Sequence, residues 1–93
     1  MPSTASAPTE FETQFGDICK CWMEKYAGGW KILHSLNGGA SVLVTGALGY
    51  EYPLRMTEDG DGTIYITYSD EYFGTQYDYS KKSTDAGATW STV

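Results

Sequence analysis

The sequence predicts an α+β domain: one N-terminal helix laid across an antiparallel meander of about five to six short strands. Three observations predict it. Apolar residues recur at three- and four-residue spacing from Phe11 to Tyr26, the period of a helix face. After Gly28-Gly29 the apolar period changes to two, that of a half-buried strand. Turn-forming residues then punctuate the chain at hairpin distances, at Asn37-Gly38-Gly39, at 58–62 (EDGDG) and at 69–74 (SDEYFG).

Residues 1–8, MPSTASAP, are small, polar and proline-containing and read as a flexible tail ahead of a single domain at 9–93. The helix is expected over 9–26. Thr9 and Glu12 have capping-box spacing, and Phe11, Phe15, Ile18, Trp22 and Tyr26 form its apolar stripe. Gly28-Gly29 provides the stop. Glu10, Asp17 and Glu24, seven apart, form an acidic line on the opposite face, which reads as a solvated surface or as a docking edge for a basic partner. Strands follow at 30–36, 41–45, 50–57, 63–69 and 75–80, with a short last strand through Trp90 and Thr92. Pro53 cannot donate a ladder hydrogen bond, so its strand belongs at an edge or a bulge. The expected core is Phe11, Phe15, Ile18, Trp22, Ile32, Val42, Val44, Leu54, Ile64 and Ile66.

Composition narrows the function. The formal charge is −6, from 12 acidic and 6 basic residues, and Arg55 is the only arginine. That balance argues against direct binding of nucleic acid, whose phosphates need Lys and Arg. It suits a basic protein partner, such as a nucleic-acid-binding protein. No signal peptide and no apolar run of membrane length is visible, so the expected location is the cytoplasm. Cys19 and Cys21, two apart in a helix, would diverge. With His34 as the only histidine, a structural zinc site lacks ligands. The cysteines read as reduced thiols beside the buried stripe.

The residues "STDAGATW", 83–90, read Ser-x-Asp-x-Gly-x-Thr-Trp. Together with "DGDGTIYITYSD" and "YDYSKK" before them, residues 59–91 resemble the strand–strand–Asp-box order of a sialidase-like (BNR) propeller blade. The resemblance implies that Ser83, Asp85, Gly87, Thr89 and Trp90 build a hairpin. In it the short polar side chains bond turn backbone, Gly87 relieves the turn and Trp90 packs beneath. The family's catalytic set does not carry over, because sialidases grip a carboxylate with three arginines and this chain has one. The Asp box therefore reads as a stable local hairpin, in line with the ordinary turn chemistry of Asp, Ser and Gly.

No P-loop or dinucleotide fingerprint is present. No acid–base pair, nucleophile or metal set assembles, so neither an enzyme nor a cofactor is expected. His34, among Trp30, Ile32 and Leu36, reads as a partly buried strand residue rather than a general base. Asp59 and Asp61 hint at a calcium loop, but the EF-hand positions one and twelve fall on Thr57 and Tyr68, so a plain hairpin turn is favoured. Eight tyrosines are generous for one small core, and Tyr65, Tyr72, Tyr77 and Tyr79 lie close in sequence to Asp70, Glu71 and Asp78. Tyrosine is enriched at binding hot spots. The expected partner-binding residues are Glu58, Asp59, Asp61, Asp70, Glu71 and Tyr72, divided between the two ends of one strand. The expected function is that of a small acidic protein-binding module, a monomer or small homo-oligomer. In size, charge and lack of a catalytic set it resembles toxin-immunity proteins and phage inhibitors such as anti-CRISPRs. A glycan-binding Asp-box module and a small structural subunit of a phage or other assembly are the alternatives.

Overall fold

The protein is described here by a computed structural model covering residues 9–93. Among these residues there is no helix. Eight strands form two four-stranded antiparallel sheets, each a meander in chain order. Sheet A holds β1 (Thr9–Glu12), β2 (Ile18–Tyr26), β3 (Gly29–Leu36) and β4 (Val42–Leu48). Sheet B holds β5 (Arg55–Glu58), β6 (Ile64–Tyr72), β7 (Thr75–Ser83) and β8 (Ser91–Thr92). The fold is all-β. The antiparallel pairing expected from the sequence is present, but in two four-stranded sheets rather than one sheet of five to six strands, and the α+β class with its N-terminal helix is overturned. The tail expected at residues 1–8 lies outside the described residues.

The segment read as a helix is the β1–β2 hairpin. Its true period is two: Cys19, Cys21 and Met23 are fully buried, while Lys20, Trp22 and Glu24 alternate with them on the outer face. The apparent helical stripe comes from two strands and the turn between them. Phe15 lies in that turn and is 74% exposed, and Tyr26 is also exposed. Gly16 there has φ +86°, a left-handed conformation that a helix cannot contain. Thr13 organises the turn, its Oγ1 accepting the N–H groups of Phe15 and Asp17. Thr9 and Glu12 are the two ends of β1 rather than a capping box. β2 is rich in Ile, Cys, Trp and Tyr, residues that lose freedom in a helix and fit a pleated surface.

Two further expectations fall with the helix. Gly28-Gly29 does not stop a helix but lies at the β2–β3 hairpin, where Tyr26 pairs with Gly29. Gly29 has φ +126°, and a β-carbon there would strike the Leu48 carbonyl of β4. The acidic line of Glu10, Asp17 and Glu24 is also dispersed. Glu10 pairs with Lys20 at 3.8 Å, Asp17 accepts from Asn37 Nδ2 at 3.0 Å, and Glu24 accepts from Trp22 Nε1 at 2.8 Å.

The two sheets enclose one core. Cys19, Cys21, Met23, Ile32, Val44 and Leu48 of sheet A meet Met56, Ile64, Ile66 and Tyr68 of sheet B, with Phe11, Trp30, Leu36, Leu54 and Trp90 packed at the margin. Ile32, Val44, Ile64 and Ile66 are buried where the alternation put them. Cys19, Cys21 and Met23 take the places assigned to Ile18 and Trp22. Polar ties cross between the sheets: Thr9 Oγ1 donates to the Leu54 carbonyl at 3.5 Å, Gln14 N–H donates to Glu58 at 2.7 Å, and Gly49 N–H donates to Asp70 at 3.1 Å.

One mismatch between the sheets positions the candidate site. β6 and β7 form a long hairpin joined at Phe73-Gly74, with Tyr72 opposite Thr75. Asp70 of β6 is buried, but all five residues from Thr75 to Tyr79 are exposed. The far half of β7 therefore reaches past the cover of sheet A. β8 pairs only with Lys81 and Lys82.

Candidate functional site

β6 separates the six expected partner-binding residues into two groups. Glu58, Asp59 and Asp61 stand at the β5–β6 turn, and Asp70, Glu71 and Tyr72 at the opposite end of the strand. From Ile64 to Asp70 the strand rises about 20 Å at ~3.3 Å per residue. The structure does not bring the groups together.

At the turn end most of the carboxylate chemistry is internal. Asp59 Oδ1 accepts the N–H groups of Asp61 at 2.9 Å and Thr63 at 3.0 Å, and Oδ2 accepts the Tyr65 hydroxyl at 3.1 Å. Loss of water pushes the Asp59 pKa up, but the donors from Thr63, Asp61 and Tyr65 outweigh it and hold the carboxyl below its ordinary value. Asp59 is thus the keystone of its own turn. Glu58 accepts Gln14 N–H through Oε1, while its buried Oε2 has no hydrogen-bond partner among the described residues. Asp61 is exposed. Folding adds neighbours that are distant in sequence: Asp17, Glu58, Asp61 and Asp85 line one cleft beside Phe15.

The Asp-box residues form a closed local network against sheet A. Ser83 Oγ donates to Asp85 Oδ1 at 2.7 Å and accepts Gly87 N–H at 2.8 Å. Asp85 accepts Thr89 N–H at 2.9 Å and the Thr89 hydroxyl. These donors, the Thr89 hydroxyl first, pull the Asp85 carboxyl down to about 2. Gly87 has φ +91° and is buried. Trp90 Nε1 donates to the Gly87 carbonyl at 3.0 Å, and the indole meets the His34 ring edge-on at 5.1 Å. His34 is 1% exposed, and its Nε2 has no hydrogen-bond partner among the described residues. Burial holds its pKa below the ordinary histidine value. This ring is a wedge between sheet A and the Asp-box turn.

The other end of β6 presents aromatic surface. On the inner face of sheet B, Tyr68 stacks on Tyr79 with centroids 5.6 Å apart, and Tyr72 lies against Tyr77 at 6.2 Å. Phe73 at the hairpin tip is fully exposed, and Tyr72 and Tyr77 are about half exposed. Desolvation raises the pKa of both Tyr68 and Tyr79, so these hydroxyls are neutral donors near pH 7. Asp70, beneath these rings, is 2% exposed, and its Oδ1 accepts the N–H groups of Gly49 at 3.1 Å and Glu71 at 2.9 Å. It holds the β4–β5 loop on β6 and offers no rim charge. Glu71 accepts the Tyr52 hydroxyl at 2.7 Å, and Tyr52 lies against Tyr50 at 6.3 Å. Tyr65, grouped with these tyrosines by sequence, is at the far end with Asp59.

The sequence reading omitted Phe73, Tyr50 and Tyr52 from the site. Gly74 carried the signal, since a two-residue hairpin turn favours glycine at its second position, here at φ +81°; Phe73 at φ +51° is an uncommon occupant of the first. Nothing local signalled that Tyr50 and Tyr52 would fold beside Glu71. Among the described residues no group of three or more His, Cys, Asp or Glu side chains is arranged to hold a metal ion. Cys19 and Cys21 are free thiols in the core, and burial pushes Cys21 up to about 12. Among the described residues no helix is long and apolar enough to cross a membrane. No known protein family, curated protein or solved structure matches this chain.

Proposed function

We propose that the chain is a non-enzymatic, acidic protein-binding module of the inhibitor or immunity type, and that it engages a basic partner through the aromatic end of the β6–β7 hairpin. The observation that carries the reading is the exposure of Tyr72, Phe73 and Tyr77 together, on a hairpin that sheet A leaves uncovered. Large aromatic side chains held on a rigid strand pair supply contact area at low entropic cost. The net charge of −6 favours encounter with a cationic surface. The cytoplasm, where thiols stay reduced, suits the two free cysteines.

The test begins with a pull-down from the native host using the parent chain and a Tyr72→Ala/Phe73→Ala variant. If these rings are hot spots, the double variant weakens binding of the recovered partner by at least about 30-fold, chiefly through faster dissociation. Glu71→Lys slows association, more at low salt than at high. Asp70 is unsuitable for this test, because reversing its charge removes the acceptor of two backbone amides. Equal capture by parent and double variant would reject the site. Selective retention on a glycan array, lost in the same variant, would favour a sugar ligand instead.

A further inference from the structure

The strand β7 carries an open hydrogen-bonding edge. Val93 N–H donates to the Ser80 carbonyl at 3.2 Å, so the N–H and C=O groups of Ser80 point towards β8. Backbone groups alternate sides along a strand. Those of Gln76 and Asp78 therefore point the same way, and those of Tyr77 and Tyr79 point towards β6. β8 pairs with Lys81 and Lys82 only, so among the described residues nothing pairs with this side of Gln76 and Asp78. Unpaired edges accept added strands, and natural sheets usually blunt them with lysine, proline or a bulge. The five residues from Thr75 to Tyr79, TQYDY, contain none of these.

The surface beside this edge is grooved. Where β8 ends, a groove of about 420 Å³ at the edge is lined by Asp78, Tyr79, Ser80, Lys81, Thr92 and Val93. On the outer face a second groove is lined by Arg55, Thr67, Ser69, Gln76 and Asp78. A strand added here would send alternate side chains over the Tyr77 and Tyr79 rings and the others towards Asp78. Rings attract cations over their faces, and Asp78 attracts them by charge. A second copy of this chain would bring another −6 to the same edge, so charge favours a cationic occupant over self-pairing.

We propose that an extended lysine- or arginine-bearing segment of the partner adds to sheet B as a strand along Gln76–Asp78, with basic side chains over Tyr77 and Tyr79. This rests on the proposed binding of a basic protein and specifies how it is gripped. The probe is a capped octapeptide of alternating lysine and valine, with its glutamate–valine counterpart as control, read by amide hydrogen exchange and NMR titration of the intact chain. The lysine peptide is expected to bind and to slow exchange at Gln76 and Asp78, amides that exchange freely without it. Gln76→Pro removes one outward donor with no change of charge while leaving the β6–β7 ladder intact, as proline is tolerated where the N–H faces out of a sheet, and should weaken binding about tenfold. Tyr79→Ala keeps the edge and should weaken binding less.

Binding of the lysine peptide without protection at Gln76 and Asp78 would overturn the strand geometry while leaving a basic partner in place. Equal binding of the glutamate peptide would overturn the charge argument on which both proposals stand. No binding of either peptide would overturn the added strand. Concentration-dependent protection of the same amides without peptide would assign the edge to a second copy and overturn it as well.

Discussion

Replacing Gly87 with alanine measures how tightly the Asp-box turn is seated on sheet A. A β-carbon at this position would lie 2.5 Å from His34 Nδ1, against an ordinary contact of ~3.5–4.0 Å between heavy atoms. The ring cannot retreat freely, since it is buried and braced edge-on by Trp90. A non-glycine residue at φ +91° adds about 1–2 kcal/mol of backbone cost. Forcing an extra carbon into a packed site adds about 1–3 kcal/mol. The total is about 2–5 kcal/mol, a large share of the roughly 5–14 kcal/mol expected for a domain of this length. At ~4–8 °C per kcal/mol, Tm should fall by at least about 8 °C. Gly74→Ala is the internal control, because Gly74 has φ +81° with nothing within 4 Å of the added carbon, so it carries the backbone cost alone. Urea unfolding followed by tryptophan fluorescence would compare the two. In a His34→Ala background the packing share of the Gly87→Ala cost should vanish, a coupling of about 1–3 kcal/mol. Equal losses for Gly87→Ala and Gly74→Ala, or a Gly87→Ala cost indifferent to His34, would refute the seating of the turn on that ring.

The remaining expectations concern pH and the core. His34 has a folded pKa below 6.5 because of burial, so the unfolded chain binds the extra proton; stability should be full above about 6.5 and decline as pH falls towards the lowered value. His34→Leu should flatten that slope in urea titrations at successive pH values. Asp85, held near 2, contributes stability that is present above its unfolded value of ~3.9 and is lost as pH falls towards about 2; Asp85→Asn should remove this acid-sensitive component. Cys19 and Cys21, both fully buried, should react with a thiol reagent at mildly alkaline pH only as fast as the domain opens, and promptly in denaturant. Met23→Ala, at a fully buried inner-face position, should cost about 2–5 kcal/mol by equilibrium unfolding.

The contrast between β6 and β2 explains how much was readable. In β6 the alternation of Ile64, Ile66 and Tyr68 with Tyr65 and Thr67 fits only a strand. The order of these residues thus determines which face is buried. In β2 the residues Ile18 to Tyr26 also alternate, but Phe11, Phe15, Ile18, Trp22 and Tyr26 satisfy the helical spacing as well. Cys19 and Cys21 fall beside the helical stripe but on the buried face of the strand, in keeping with free cysteine being among the most buried residue types. The decision between the two periods came from pairing with β3, which a single segment cannot display. Turns lie at the readable end of the scale. The side-chain bonds of Asp59 and Asp85 reach partners at most six residues away, so residue order largely specifies them.

The site depends on what order alone leaves open. Asp70 and Asp78 are both acidic residues of one hairpin, yet Asp70 is buried under two amide donors and Asp78 is exposed. Alternation places Asp70 on the inner face with Ile66 and Tyr68 and Asp78, opposite Ser69, on the outer face; what folding adds is the Gly49 amide of the β4–β5 loop over Asp70. Glu58 and Asp61 gain Asp85 as a neighbour through the pairing of β5, β6 and β7, whereas Asp17 joins them, and His34 meets Gly87, only through stacking of the two sheets. By itself the sequence determined the acidic balance, the tyrosine content, the turns at 37–39, 58–62 and 83–90 and most of the strands after residue 28, because these depend on composition or on interactions within a few residues; it misplaced 50–54, expected in a strand although β5 begins at Arg55, and 69–72, expected in a turn although β6 runs to Tyr72. Tertiary structure decided that the N-terminal segment is a hairpin, which acids are buried, and that the far half of β7 lies open. Each of those outcomes depends on contacts between segments distant along the chain, whose free energy appears only when the two sheets close on one core.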